Sequence, residues 1–241
     1  MISDLPPKIW LPPKPAIIRP APVQKASFLP GWFPAPYVAA APATFPVVRG
    51  QNFTANTGAS ASSEAIPLPA GTAAGDLILL FMTWYDGGGT ITDFNGTTEL
   101  YDIDGGSSTG QGVCVYKTAT GSEGGSITIT TSAPEFWGVT SIAIEAGTWQ
   151  GTPESMLASS NNPPSLSPSW GSAKTLWIAA CHRQSGTPSS GPSGYSGFVS
   201  SGDTDGDAGQ AHAYLESEAA SEDPGTFNIG NHTATIAIQP A

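Results

Sequence analysis

Charge is what this sequence has least of. Only 11% of its 241 residues are Asp, Glu, Lys or Arg, against roughly a quarter in an ordinary globular chain. The eight basic side chains are outnumbered by 19 acids, which argues against nucleic acid as the main partner, since phosphate binding needs clustered Lys and Arg. Cysteine is nearly absent: Cys114 and Cys181 cannot make a disulfide framework, and both lie in apolar strand-like runs, where a buried thiol is expected. The longest apolar run, Leu77 to Met82, is too short to cross a bilayer as a helix, so no membrane partner is expected. The first residues, Met1-Ile2-Ser3-Asp4, carry neither the basic region nor the apolar core of a secretory signal. The expectation is a protein made in a cytoplasm without visible export. No window holds a sustained period of 3.6 residues, so helices longer than about two turns are not expected.

Catalytic signatures are equally scarce. The three histidines, His182, His212 and His232, sit in no HxxxH or HExxH spacing. Gly194-Tyr195-Ser196-Gly197-Phe198 lacks the second glycine of a nucleophile elbow. No phosphate loop or dinucleotide fingerprint occurs. The chain reads as non-enzymatic.

What is abundant is glycine and proline, 29 and 23 residues, and the proline is unevenly placed. Twelve prolines fall at or before residue 46, and eleven serve the rest of the chain. Charge divides at the same place: residues 1–50 carry a net +4 and the remainder −15. Such proline density excludes helix interiors and central strands and favours extended polyproline II. Yet residues 1–46 also carry Ile9, Trp10, Leu11, Ile17, Ile18, Arg19, Phe28, Leu29, Trp32, Phe33 and Tyr37. An extended segment cannot bury these on itself, and leaving them in water is unfavourable. The segment is expected to be an arm that anchors the chain in a groove on a partner or a sister subunit. Pro12-Pro13-Lys14-Pro15 also fits the minimal pattern for SH3-type domains, one that is common by chance.

After residue 46 the apolar runs are short, β-rich and separated by Gly, Ser and Asp. Strands are expected at 47–53, 76–84, 98–103, 112–118, 126–131 and 139–145, and again at 175–182, 195–200, 211–217, 226–229 and 233–239. The two sets match. Gly75 to Phe81 parallels Lys174 to Ala180 at an offset of 99, as Gly110-Gln111 parallels Gly209-Gln210. Thr140 to Glu145 parallels Ala234 to Gln239 at an offset of 94. Two half-repeats, at about 65–150 and 165–241, point to an all-β, two-sheet antiparallel sandwich over 47–241, jelly-roll-like or of a related Greek-key topology. Two small separate sandwiches are the alternative.

These residues also carry a resemblance. Leu68-Pro69-Ala70-Gly71-Thr72-Ala73-Ala74-Gly75-Asp76-Leu77 resembles the opening of β-sandwich domains in tailed-bacteriophage structural proteins, and Gly194 to Ala241 resembles their close. Leu5-Pro6-Pro7-Lys8-Ile9-Trp10 with Lys14-Pro15-Ala16-Ile17-Ile18-Arg19-Pro20 is similar to short N-terminal arms on such proteins. The resemblance implies a virion component: a capsid decoration protein, or a head- or tail-fibre subunit. Its partners would be other virion proteins, in a homo-oligomer for which phage fibres suggest a trimer. It brings no catalytic residues.

Two local features point elsewhere. Asp203-Thr204-Asp205-Gly206-Asp207 sets carboxylates at alternate positions, as in the first half of a calcium loop. Ala208 and Tyr214 stand where an EF-hand needs Gly and Glu, which leaves a looser Ca²⁺ site at Asp203, Asp205 and Asp207 or a solvated acidic turn. Asp102-Ile103-Asp104 repeats the feature more weakly. Trp84, Tyr85, Trp149 and Trp170 fall near strand ends. Exposed, they would stack on sugar rings and suit a glycan-binding host-adhesion module; otherwise they pack in the core.

Overall fold

Runs of β-branched and aromatic residues between glycine-rich turns favour strands, and the computed structural model contains no helix among its described residues. It describes residues 43–54, 60–86, 88–104, 110–203 and 205–241. The proposed anchoring side chains, from Ile9 to Tyr37, lie outside the described residues.

Twelve strands follow in order: β1 (Val48–Thr54), β2 (Ala61–Pro67), β3 (Leu77–Asp86), β4 (Ile91–Asp93), β5 (Thr98–Asp104), β6 (Gln111–Thr118), β7 (Ser126–Ile144), β8 (Trp149–Ala158), β9 (Ala173–Arg183), β10 (Ser196–Gly202), β11 (Gly209–Ala219) and β12 (His232–Pro240). They form two antiparallel sheets packed as a sandwich. The first runs β1-β7-β3-β6-β5, with β2 and β4 also paired to β7. The second runs β10-β11-β9-β12-β8.

The duplication read in the sequence is a duplication of sheets. Taking β1, β3, β5, β6 and β7 as one set and β8 to β12 as the other, the strand order is the same in both. Within each set only the third and fourth strands are consecutive neighbours, and every other connection skips one strand, a Greek-key arrangement. Register agrees too. Leu80 pairs with Ser141, and Ala179, 99 residues later, pairs with Thr235, 94 residues after Ser141. The repeat takes in β1 and β8, so it spans 48–144 and 149–240. The Gly-Gln match behaves differently. Trp84 faces Gln111 but Arg183 faces Gly209, so the β6/β11 offset is 98. The glycine marks a strand start, not a register, and one residue of slip turns every side chain to the other face.

The sheets stack in opposite senses: β1 lies against β10, β3 against β9 and β5 against β8. A pseudo-two-fold axis therefore passes between β3 and β9. The core between the sheets joins Leu77, Leu79, Phe81 and Ile142 to Leu176, Ile178, Ile236 and Ile238. The outer face of the first sheet is buried as well. Ile78, Leu80, Met82, Val113 and Val115 lie beneath Ile66 of β2 and Ile127 and Ile129 from the first half of β7. That half of the 19-residue β7 leaves the main sheet to pair with β2 and β4. The expected breaks at 131 and 139 are thus a change of partner within one strand. The outer face of the second sheet is covered by loops that bring Leu166, Trp170, Tyr195 and Phe227 onto Ala179, Trp177 and Ala211. Residues 226–229, expected as a strand, belong to this loop cover.

Candidate functional site

Side chains two apart on a strand share a face. On β9, Ile178 and Ala180 face the first sheet, and the alternation puts His182 there next. On β11 it puts Gln210, His212 and Tyr214 on the same side. Both histidines are buried, at 1% and 0% exposure, and each bolts the two sheets together by hydrogen bonds.

His182 reaches β5 and β3. The Tyr101 hydroxyl lies 2.8 Å from its Nε2, and Thr83 Oγ1 lies 3.0 Å from its Nδ1. Burial drives the Tyr101 phenol well above its ordinary pKa, so it stays protonated. Gly112 makes room for the ring: a Cβ there would stand 2.5 Å from His182 Cγ. Opposite His182 on β12 is His232, whose two ring nitrogens are buried without a hydrogen-bond partner. Burial, aided by His232, lowers the His182 pKa to about 3.

His212 reaches β7 and β1. Thr140 Oγ1 is 2.7 Å from its Nδ1, and Gln51 Nε2 is 2.8 Å from its Nε2. Gln51 Nε2 also donates to the Gly197 carbonyl at 2.7 Å. Thr140 Oγ1 donates to Gln210 Oε1, whose Nε2 donates to the Ala211 carbonyl at 3.0 Å. The Phe81 ring stacks on the imidazole at 4.8 Å. Burial lowers the His212 pKa to about 3. Both rings are therefore neutral at neutral pH. Because Gln51 Nε2 donates to His212 Nε2, the His212 ring proton lies on Nδ1 and faces Thr140 Oγ1, whose own proton goes to Gln210.

No protein-family model, curated protein or solved structure matches the chain.

The sequence-derived site residues are placed as follows. Asp203 is buried at 6% exposure and its carboxylate caps its own loop. Oδ1 accepts from Ala208 N at 2.7 Å and Oδ2 from Asp205 N at 3.2 Å. Asp205 points to solvent. Among the described residues no three His, Cys, Asp or Glu side chains converge to hold a metal ion, so Asp203, Asp205 and Asp207 are not brought together as ligands. Trp84 is in the core, 5.6 Å from Trp137. Trp170 donates to Thr175 Oγ1 at 3.1 Å beneath the loop cover, and Trp149 packs against the inter-sheet core. The large apolar side chains that stand exposed among the described residues are Val47, Phe53, Met156 and Leu157, and none offers a tryptophan face to a sugar.

In the sequence Thr140 and Gln210 stand out only as members of the repeat, Gln51 carries no signal, and the histidines hold no metal-binding spacing. The available signal was alternation: His182 follows the inward series Leu176, Ile178 and Ala180 on β9, and His212 stands between Gln210 and Tyr214 on β11.

Proposed function

We propose that the chain is a non-enzymatic structural protein of tailed-phage virions, a capsid decoration or head- or tail-fibre subunit moored by residues 1–46. The observation that carries the proposal is the division of the sequence: a basic, proline-rich, apolar segment joined to an acidic, duplicated sandwich. A proline-rich arm loses less conformational freedom on docking than a flexible one. Many copies on a symmetric particle add avidity, and the acidic bodies repel one another and stay soluble. The partners are other virion proteins and sister copies of the chain. The sandwich fits a load-bearing body, because its buried polar side chains pair across the two sheets.

The test is co-sedimentation with particles that lack the protein. The full chain is expected to bind. A full-length variant with Trp10, Ile17, Phe28 and Trp32 changed to Ser is expected to lose at least about tenfold in affinity, since each buried aromatic or aliphatic side chain contributes about 1.5–3 kcal/mol. Equal binding by both forms would refute the arm as anchor. The number of copies per particle separates a shell decoration from a fibre.

A further inference from the structure

The seam between β7 and β11 holds a nucleophile, a base and an acyl group in one enclosure. Thr140, Gln210 and His212 are each wholly buried. Thr140 Oγ1 touches both His212 Nδ1, at 2.7 Å, and the Gln210 carboxamide oxygen. Strand β7 belongs to the first sheet and β11 to the second.

We propose that Thr140 and Gln210 condense to an intramolecular ester that welds the two sheets. The Thr140 Oγ1–Gln210 Cδ bond forms and the Gln210 Cδ–Nε2 bond breaks. His212 Nδ1 takes the hydroxyl proton and passes it to the departing nitrogen, which leaves as ammonia. Nothing is oxidised or reduced, and no co-reactant is needed. His212 is the catalytic residue.

Three features favour the step. The reacting groups are held together by strand register, which converts a bimolecular reaction into an intramolecular one. Water, which would compete for the acyl carbon and later hydrolyse the ester, is excluded by burial. The reaction happens once per chain, so a slow step suffices. The pseudo-two-fold axis adds a contrast. By register, the counterparts of Thr140, His212 and Gln210 in the other half are Ala234, Cys114 and Gly112. The cluster is therefore specific to one side of the sandwich and is no by-product of the repeat.

Gln51 is the positioning residue. Its amide donates to both Gly197 O and His212 Nε2, which keeps the ring proton on Nδ1 and holds the base at rest. A half-turn of the amide presents Oε1 to Nε2, moves the proton there and frees the Nδ1 lone pair for Thr140. A carboxylate at position 51 would hold that state permanently.

The experiment is intact-mass measurement of the full chain, purified folded and incubated at pH 8, followed by tryptic digestion. The expected mass is one ammonia, about 17 Da, below that of the sequence. The tryptic peptides 118–174 and 184–241 should then run as one joined species, cut apart by alkaline hydrolysis. Thr140→Val should abolish both signs, His212→Gln should slow them, and Gln51→Glu should speed conversion by about tenfold or more. A wild type and Gln51→Glu at full mass with separate peptides would overturn the proposal. So would a mass loss that persists in Thr140→Val, which would mark imide formation at Asn95-Gly96 instead. If Thr140→Val fails to fold, the wild-type digest alone decides.

Discussion

Asp76 illustrates how a single buried carboxylate is kept. It is fully enclosed, and burial alone would raise its pKa. Arg49 Nε at 2.5 Å and Nη2 at 3.1 Å, with the amides of Ala73 and Ala146 at 2.8 and 2.9 Å, outweigh that cost and hold the pKa below the ordinary value. One side chain thus ties β1 to the turns before β3 and after β7. Asp76→Asn is expected to destabilise the fold, as chemical denaturation would measure, because the enclosed amide cannot accept all four bonds that the carboxylate takes from Arg49, Ala73 and Ala146. The histidines work in the opposite sense. His182 and His212 titrate near 3 when folded, against 6.5 when free. Between those values the unfolded chain binds more protons, so stability is full above pH 6.5 and falls as pH drops toward 3. Two such groups give a slope of about 2.7 kcal/mol per pH unit. His182→Gln should remove about half of that slope in unfolding measured between pH 4 and 6. Burial pushes the Cys181 thiol up to about 12 and the Cys114 thiol well above its usual value. Neither should react with a thiol reagent until the protein unfolds.

At the scale of elements, the strands with strong patterns were legible and the weak ones were not. β3, β9 and β12 carry continuous apolar runs because both faces of each are buried. β2, with sequence ASSEAIP, hides a strand whose inward faces are few. β8 carries Gly151 and Pro153, which read as breakers. It tolerates them because it is an edge strand, where a missing ladder donor costs little. The inter-sheet cluster was not legible, because Thr140 and His212 are 72 residues apart and only the sheet stacking brings them together. In the 203–207 loop, Asp203 accepts from the amides of its own turn, a local arrangement that the alternate spacing of carboxylates does not reveal. Gly112 shows how closely the elements fit. Gly112→Ala would drive a methyl into the His182 ring. It should cost about 1–3 kcal/mol by overpacking, read as a lowered melting temperature with the two-sheet circular dichroism retained.

At the scale of the molecule, the duplication gives a symmetric body and the charge division gives it a direction. The sandwich is closed by three buried layers, between the sheets and on both outer faces. The basic and apolar side chains that the sequence concentrates before residue 46 are those of the proposed mooring. Their amines make the mooring directly testable. Lys8, Lys14 and Lys25 precede residue 46, while Lys117 and Lys174 lie on the sandwich. Amine cross-linking of intact particles, read by mass spectrometry, should join the chain to other virion proteins through Lys8, Lys14 and Lys25. Cross-links to those proteins made only through Lys117 and Lys174 would contradict a chain anchored by its arm.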